Sequence, residues 1–250
     1  MQAMIFAAGL GTRLQPLTNN TPKALVELNK KTLLQRSIEN LQQQGCTRLV
    51  INVHHFSNQV IQFLREHQNF GMEILISDES EELLDTGGGL WKAQSLFNAD
   101  EPILLINVDV LTNLSFKELI NYLEVNQSMA TLVVRQRTTS RYLLFDEQQQ
   151  LCGWKNIKNG ATKVSRPDSF EAATPYAFSG IHIVQPSIFQ QIEASGKFSI
   201  IDLYLKLAQT QKVKAFIDSQ SLWMDLGKFE QVTEAEELIK AIDNNKSSKA

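Results

Sequence analysis

Cysteine is nearly absent. Cys46 and Cys152 are the only two in 250 residues, too few for a disulfide framework or a four-cysteine zinc site. They read as packed thiols in a reducing compartment. Histidine is scarce as well: four residues, with His67 and His182 apart from the adjacent His54 and His55, argue against a histidine-rich metal site. No excess of positive charge exists, since 24 Lys and Arg stand against 27 Asp and Glu. A dedicated nucleic-acid or membrane-surface binder needs a basic field and is therefore not expected. Long apolar runs are missing too; none approaches the ~20 residues that span a bilayer. The opening MQAMIFAAGLG lacks the basic flank of a signal peptide. The expectation is a cytoplasmic protein that engages neither nucleic acid nor membrane, as a monomer or small homo-oligomer.

What is present is an ordinary globular balance, 43% hydrophobic and 20% charged, which rules out wholesale disorder. Short apolar runs at Ala3 to Ala8, Arg48 to Val53, Met72 to Ile76, Pro102 to Val108 and Ala130 to Val134 read as buried strands. Helical spacing falls between them: Leu33, Leu34, Ile38 and Leu41 before a stop at Gly45, then Val60, Ile61 and Leu64, then Thr86 to Phe97 and Phe116 to Leu123. This alternation predicts an α/β fold, a Rossmann-like, mostly parallel sheet with helices on both faces. Ligands bind such sheets at the carboxyl ends of the strands, here near residues 9–13, 78–89 and 107–112.

After about residue 137 short strand candidates dominate: Tyr142 to Phe145, Leu151 to Trp154, Phe178 to Val184, Val213 to Ile217 and Leu222 to Asp225. Helices are expected around 187–194 and 199–210, and from Lys228 to Ile242. The second half reads as a mixed-sheet extension. One domain is expected over 1–242, in two halves at about 1–137 and about 138–242. The polar stretch 243–250 reads as a fraying tail.

The loop Ala7-Ala8-Gly9-Leu10-Gly11-Thr12-Arg13-Leu14 follows the first strand. Glycines there let backbone N–H groups approach phosphates. Leu14 stands where a dinucleotide fingerprint needs its third glycine, and no Gly-Lys-Ser/Thr ending makes a P-loop. A plain strand-to-loop turn is the alternative. Arg13 favours a phosphate site, because a guanidinium clamps phosphate oxygens bidentately. Lys23, on a turn stiffened by Pro22, is a second candidate triphosphate ligand. Gly87-Gly88-Gly89 opens a helical pattern at roughly 1 kcal/mol per glycine relative to alanine; close approach to a base or sugar and close packing are both adequate reasons. Asp109 ends an apolar strand, where a carboxylate points into the expected crevice. Asp225, in Trp223-Met224-Asp225-Leu226-Gly227, could equally cap the following helix.

Residues 7–28, AAGLGTRLQPLTNNTPKALVEL, closely resemble the nucleotide-binding signature of the sugar-1-phosphate nucleotidyltransferases. The resemblance extends over about residues 1–240. It implies nucleotide contacts from Ala7, Ala8, Gly9, Gly11, Thr12, Gly87 and Gly88. It implies Mg²⁺ on Asp109 and Asp225. Phe178-Ser179-Gly180-Ile181-His182 is similar to a segment lining the sugar pocket, which puts Ser179 and Gly180 there together with Asn107. His182, alternating with Ile181 and Ile183, reads as structural. Lys155 stands where many members place the lysine that holds the sugar phosphate, without the usual Glu-Lys-Pro form; Lys163 and Arg166 compete for that role. The segment from about 155 to 175 reads as a polar flap.

The implied reaction joins a sugar 1-phosphate to the α-phosphorus of a nucleoside triphosphate, with pyrophosphate leaving. The nucleophile is already anionic, so no general base is required, and cations and alignment carry the catalysis. The TGGG, NVD, FSGI and WMDLG elements look most like N-acetylmuramate-1-phosphate uridylyltransferases of cell-wall recycling, with mannose-1-phosphate guanylyltransferases as the alternative. Glu79 or Glu82 lies where the family reads the base. A carboxylate only accepts, so it would pair better with the two donors of guanine than with uracil. A catalytically silent nucleotide-sugar sensor on the same fold is the alternative of another class.

Overall fold

The computed structural model describes residues 1–193 and 196–247. It is a mixed α/β fold, as the alternating pattern predicts. The chain forms two compact units, the first from residues 1–83, 106–115 and 220–250, the second from residues 84–105 and 116–219. The strand Ile103–Asn107 passes from the second unit into the first.

In the first unit the strands Gln2–Phe6, Arg48–Val53 and Glu73–Asp78 run parallel, with Phe6 opposite Asn52 and Val53 opposite Asp78. Their carboxyl ends therefore finish together. The outer edge strand starts one residue later and ends two residues later than its apolar run, Met72 to Ile76, suggests. Parallel pairing to Arg48–Val53, beginning at Arg48 opposite Glu73, sets its register. The helix Leu33–Gln43 begins where Thr32 Oγ1 accepts from the Gln35 amide at 3.0 Å, a side-chain cap for an otherwise orphaned donor. It buries Leu33, Leu34, Ile38 and Leu41, the apolar stripe of the sequence, and Gly45, at φ 87°, lies just beyond its end. The last helix spans Val232–Ser247 and so takes in part of the stretch read as a fraying tail; residues 248–250 lie outside the described residues.

In the second unit, Thr174–Val184 pairs antiparallel with Ala130–Arg135 and with Arg141–Phe145. Leu151–Asn156 and Thr162–Val164 continue antiparallel, while Val213–Ile217 lies parallel to Ala130–Arg135. This is the mixed-sheet portion. The segment read as a polar flap holds the strand Thr162–Val164 and the short helix Pro167–Phe170. A Cβ at Gly153 would lie 2.6 Å from the Lys163 carbonyl oxygen and would also strike the Phe170 ring. A glycine on the strand is what lets that segment lie close. The helix expected near 187–194 is instead the 3₁₀ turn Pro186–Gln191.

Candidate active site

Four of the charged residues singled out in the sequence, Arg13, Lys23, Asp109 and Asp225, all belong to the first unit. Asp225 does so although it comes late in the chain. The reason is a small antiparallel ladder: Val110–Thr112 pairs with Trp223–Asp225, setting Asp225 opposite Val110. The Leu226 amide then donates to the Asp109 carbonyl at 2.9 Å. Asn113 secures the ladder's end, its Oδ1 accepting from the Leu222 amide at 2.8 Å. Two carboxylates far apart in sequence are thus brought to adjacent backbone positions. Trp223–Asp225 was expected as a strand, but Val110–Thr112 and the pairing of the two were not legible, because so short a strand carries no periodicity.

Lys23 opens the 3₁₀ turn Lys23–Leu25 that follows Pro22, and its ammonium pairs with Asp109 Oδ2. Gly11 adopts φ 65°, the left-handed region that glycine occupies without strain. A Cβ there would lie 3.0 Å from Lys23 Cβ and 3.1 Å from Thr18 Cγ2. Thr18 Oγ1 donates to the Gly11 carbonyl at 2.9 Å, a link the sequence reading missed. Gly11 therefore lets the loop lie against the Lys23 turn. Thr12 and Arg13 are exposed. The Arg13 guanidinium nitrogens lie 3.7 Å from where a Cβ on Gly227 would be, so the loop cation sits beside the turn after Asp225. Gln231 Oε1 accepts from the amides of Gly227 (3.1 Å) and Lys228 (3.0 Å) and fixes that turn. A glutamine three residues after the helix-capping position is the readable sign of such a cap.

Among the described residues no group of three or more His, Cys, Asp or Glu side chains could hold a metal ion. Magnesium needs less: one or two carboxylates, with substrate phosphates and water completing six oxygens. The Asp109 and Asp225 pair has that chemistry, and the Lys23 ammonium already rests on one of the two.

The base-reading candidate Glu79 is placed differently from the expectation. It is fully buried. Its Oε1 accepts from Asn52 Nδ2 at 2.7 Å, and Asn52 Oδ1 accepts from the Ala7 amide at 2.7 Å. The Glu79 amide donates to Val53 O at 2.7 Å, and its carbonyl meets His54 Nδ1 at 2.7 Å. A carbonyl only accepts, so that nitrogen carries the proton. Ala7, expected to offer its backbone to the nucleotide, spends its amide on Asn52, which is also why the first strand ends at Phe6 rather than at Ala8. Ala8 is buried and Gly9 exposed. Glu82 is exposed. Asn52 itself was passed over, though a polar residue near the end of Leu49-Val50-Ile51 was the available signal.

The remaining candidates belong to the second unit, apart from Asn107, which is half-buried at the end of its strand in the first. Gly87 and Gly88 are buried in the helix Asp85–Lys92, and both amides donate to Phe198 O, at 3.0 and 3.2 Å. A Cβ at Gly87 would collide with the Phe198 ring, and one at Gly88 with the Gly196 carbonyl. Close packing therefore accounts for these two glycines. Gly180 lies in the left-handed region, φ 72°, inside the register shift between Phe178 and His182. Ser179 beside it is buried, and Lys155 is half-buried. Lys163 pairs with Asp202 Oδ1 at 2.5 Å and sits 5.6 Å from the Trp154 ring centroid. His182 is buried, with Nδ1 2.5 Å from Tyr204 Oη, and burial pushes its pKa down to about 3.

Residues 2–241 match the nucleotidyl transferase family. The chain is 33% identical over 231 residues to the mannose-1-phosphate guanylyltransferase catalytic subunit beta of Drosophila pseudoobscura pseudoobscura, a match over 90% of this chain and 59% of that protein. It is 31% identical over 230 residues to the N-acetylmuramate alpha-1-phosphate uridylyltransferase of Caulobacter vibrioides, over 90% of this chain and 91% of that one. It thus spans under two thirds of the guanylyltransferase but nearly all of the uridylyltransferase. Among solved structures, HddC from Yersinia pseudotuberculosis superposes with a TM-score of 0.76 at 24% identity, over 94% of this chain and 98% of that one. The inositol-1-phosphate CTP transferase from T. maritima gives 0.74 at 15%, over 96% and 95%. At those identities the likeness is one of fold. The matched family model and the relatives above 30% identity establish that the chain belongs to the nucleotidyl transferase family.

Proposed function

We propose that the chain transfers a nucleotidyl group from a nucleoside triphosphate to a sugar 1-phosphate and releases pyrophosphate, with UTP and N-acetylmuramate 1-phosphate as its substrates. The observation that carries this reading is the Lys23–Asp109 ion pair beside the ladder that brings Asp225 to Asp109. A phosphoryl group placed at those carboxylates with a cation between them also meets the Lys23 ammonium.

Asp109 and Asp225 would hold Mg²⁺, which supplies charge neutralisation at the α-phosphate and at the incoming sugar phosphate. Lys23 holds the α-phosphate and stabilises its charge as the sugar-phosphate oxygen forms the new bond to phosphorus and the bond to the pyrophosphate oxygen breaks. Arg13, exposed beside Gly227, neutralises the leaving pyrophosphate. The glycine loop from Gly9 to Thr12 receives the phosphates. Asn107, at the end of its strand in the same unit as Asp109, meets the sugar phosphate. Proton transfer has no part in the step, because the attacking oxygen is anionic.

The choice of uracil is supported by the uridylyltransferase relative, matched over nearly its full length. It is supported too by the burial of Glu79, which takes one of two carboxylates away from the case for guanine. Guanylyl transfer to mannose 1-phosphate is the second reading, favoured by the guanylyltransferase relatives and by exposed Glu82. A triphosphate substrate and two buried thiols outside any disulfide support a cytoplasmic location. Among the described residues no helix is long and apolar enough to cross a membrane. Pyrophosphate release from UTP with N-acetylmuramate 1-phosphate, against GTP with mannose 1-phosphate, tests the choice. Release only with the second pair would transfer the assignment to guanylyl transfer.

A further inference from the structure

Three parallel strands end side by side in the first unit, and one buried side chain ties the segments that leave them. Asn52 stands opposite Phe6 at the end of the middle strand. Its carboxamide spends its two halves in opposite directions, Oδ1 on the Ala7 amide and Nδ2 on Glu79 Oε1, each at 2.7 Å. Asn52 is 3% exposed and Glu79 0%. Ala7 is the residue from which the glycine loop departs, and Glu79 is the first residue after the third strand. Glu79 is itself pinned to the middle strand through Val53 O and His54 Nδ1. Both hydrogen bonds lie away from water, where an amide fixes direction as well as distance and where losing a partner is costly.

We propose that Asn52 and Glu79 are positioning residues for nucleotide binding: together they set the take-off of the 7–13 loop, and Glu79 takes no part in reading the base. The inference rests on the nucleotide-binding reading of that loop. It separates two things the sequence left joined, since a carboxylate ahead of the glycine helix reads as a base contact until its burial against Asn52 is known.

The polarity of the network provides the test. Asn52→Asp keeps an acceptor for the Ala7 amide but sets a second carboxylate against Glu79, and two carboxylates at hydrogen-bond distance do not both ionise. Glu79→Gln keeps an acceptor for Asn52. Combined, the two substitutions reverse the donor and acceptor of that bond and rebuild it. Nucleotide affinity is measured by calorimetry with UTP and GTP, and KM separately for nucleotide and sugar 1-phosphate. Asn52→Asp is expected to weaken nucleotide binding about tenfold, the usual scale for losing a supporting hydrogen bond, with KM for the sugar phosphate changed by less than about twofold. Glu79→Gln alone is expected to leave the UTP-to-GTP ranking unchanged, and the double variant to recover most of the Asn52→Asp loss. Equal losses for both substrates, or no recovery in the double variant, would reduce the network to general packing and overturn the inference. A changed base ranking in Glu79→Gln would return that residue to base reading and also overturn it. Wild-type protein that binds nucleotide with this pattern of variants but transfers nothing would instead defeat the proposed function and leave the positioning role standing.

Discussion

In the proposed reaction Arg13 and Asp225 are the residues whose loss would cost most. Arg13 is exposed, and its guanidinium rests against the Gly227 turn, so its removal takes away a cation without opening a core. Asp225 is a candidate metal ligand on a three-residue strand. Removing one preorganised contact to developing charge typically costs roughly 100- to 1,000-fold in turnover. We expect at least that loss in kcat for Arg13→Ala and for Asp225→Ala, with circular dichroism and the melting temperature of Arg13→Ala unchanged. Near-wild-type turnover in a folded variant would remove that residue from the site. Residue identity alone singled out Arg13, Lys23, Asp109 and Asp225, and all four fall in one unit. It says nothing of the burial of Glu79, because burial is a property of the packed neighbours and not of the residue, and nothing local marks a glutamate that will face Asn52.

At the scale of elements, long periodic segments were legible and short ones were not. The strands Arg48–Val53 and Val213–Ile217 match their apolar runs end to end. The helix Leu33–Gln43 followed from its apolar stripe and the stop at Gly45. The ladder of Val110–Thr112 with Trp223–Asp225 did not, since its partners lie far apart and each is three residues long. The glycine triplet shows how one pattern serves two masters. Gly87 and Gly88 leave room for the 196–198 segment, and each hands its amide to Phe198 O. Gly88→Ala would force a methyl group onto a backbone carbonyl that has no easy escape. Overpacking of this kind costs typically 1–3 kcal/mol, and we expect at least the upper end of that range in denaturant midpoint. An unchanged midpoint would mean that the segment yields freely. The position of Gly87 on the same helix makes Gly87→Ala a second, independent check of the same contact, against an aromatic ring instead of a carbonyl.

For the whole molecule, stability should fall on the acid side for an identifiable reason. His182 is neutral in the fold because burial depresses its pKa to about 3 against a usual 6.5. Between those values the unfolded chain binds a proton that the folded chain refuses. Stability contributed by the neutral ring is complete above about pH 6.5 and is lost as pH falls toward 3, at about 1.4 kcal/mol per pH unit for one proton. His182→Gln should be less stable at neutral pH but show an acid slope shallower by one proton between pH 6 and 4, read from urea midpoints. An unchanged slope would mean that the imidazole is protonated with its fold intact.

The central claim is that the Arg13, Lys23, Asp109 and Asp225 constellation transfers a nucleotidyl group. Its most direct test is pyrophosphate release in the presence of Mg²⁺, over UTP, GTP, dTTP and CTP against N-acetylmuramate, mannose and other sugar 1-phosphates. The account predicts release that is strictly dependent on both substrates, fastest with UTP and N-acetylmuramate 1-phosphate, and abolished by chelation of the metal. Tight nucleotide binding with no pyrophosphate released from any pair would contradict it.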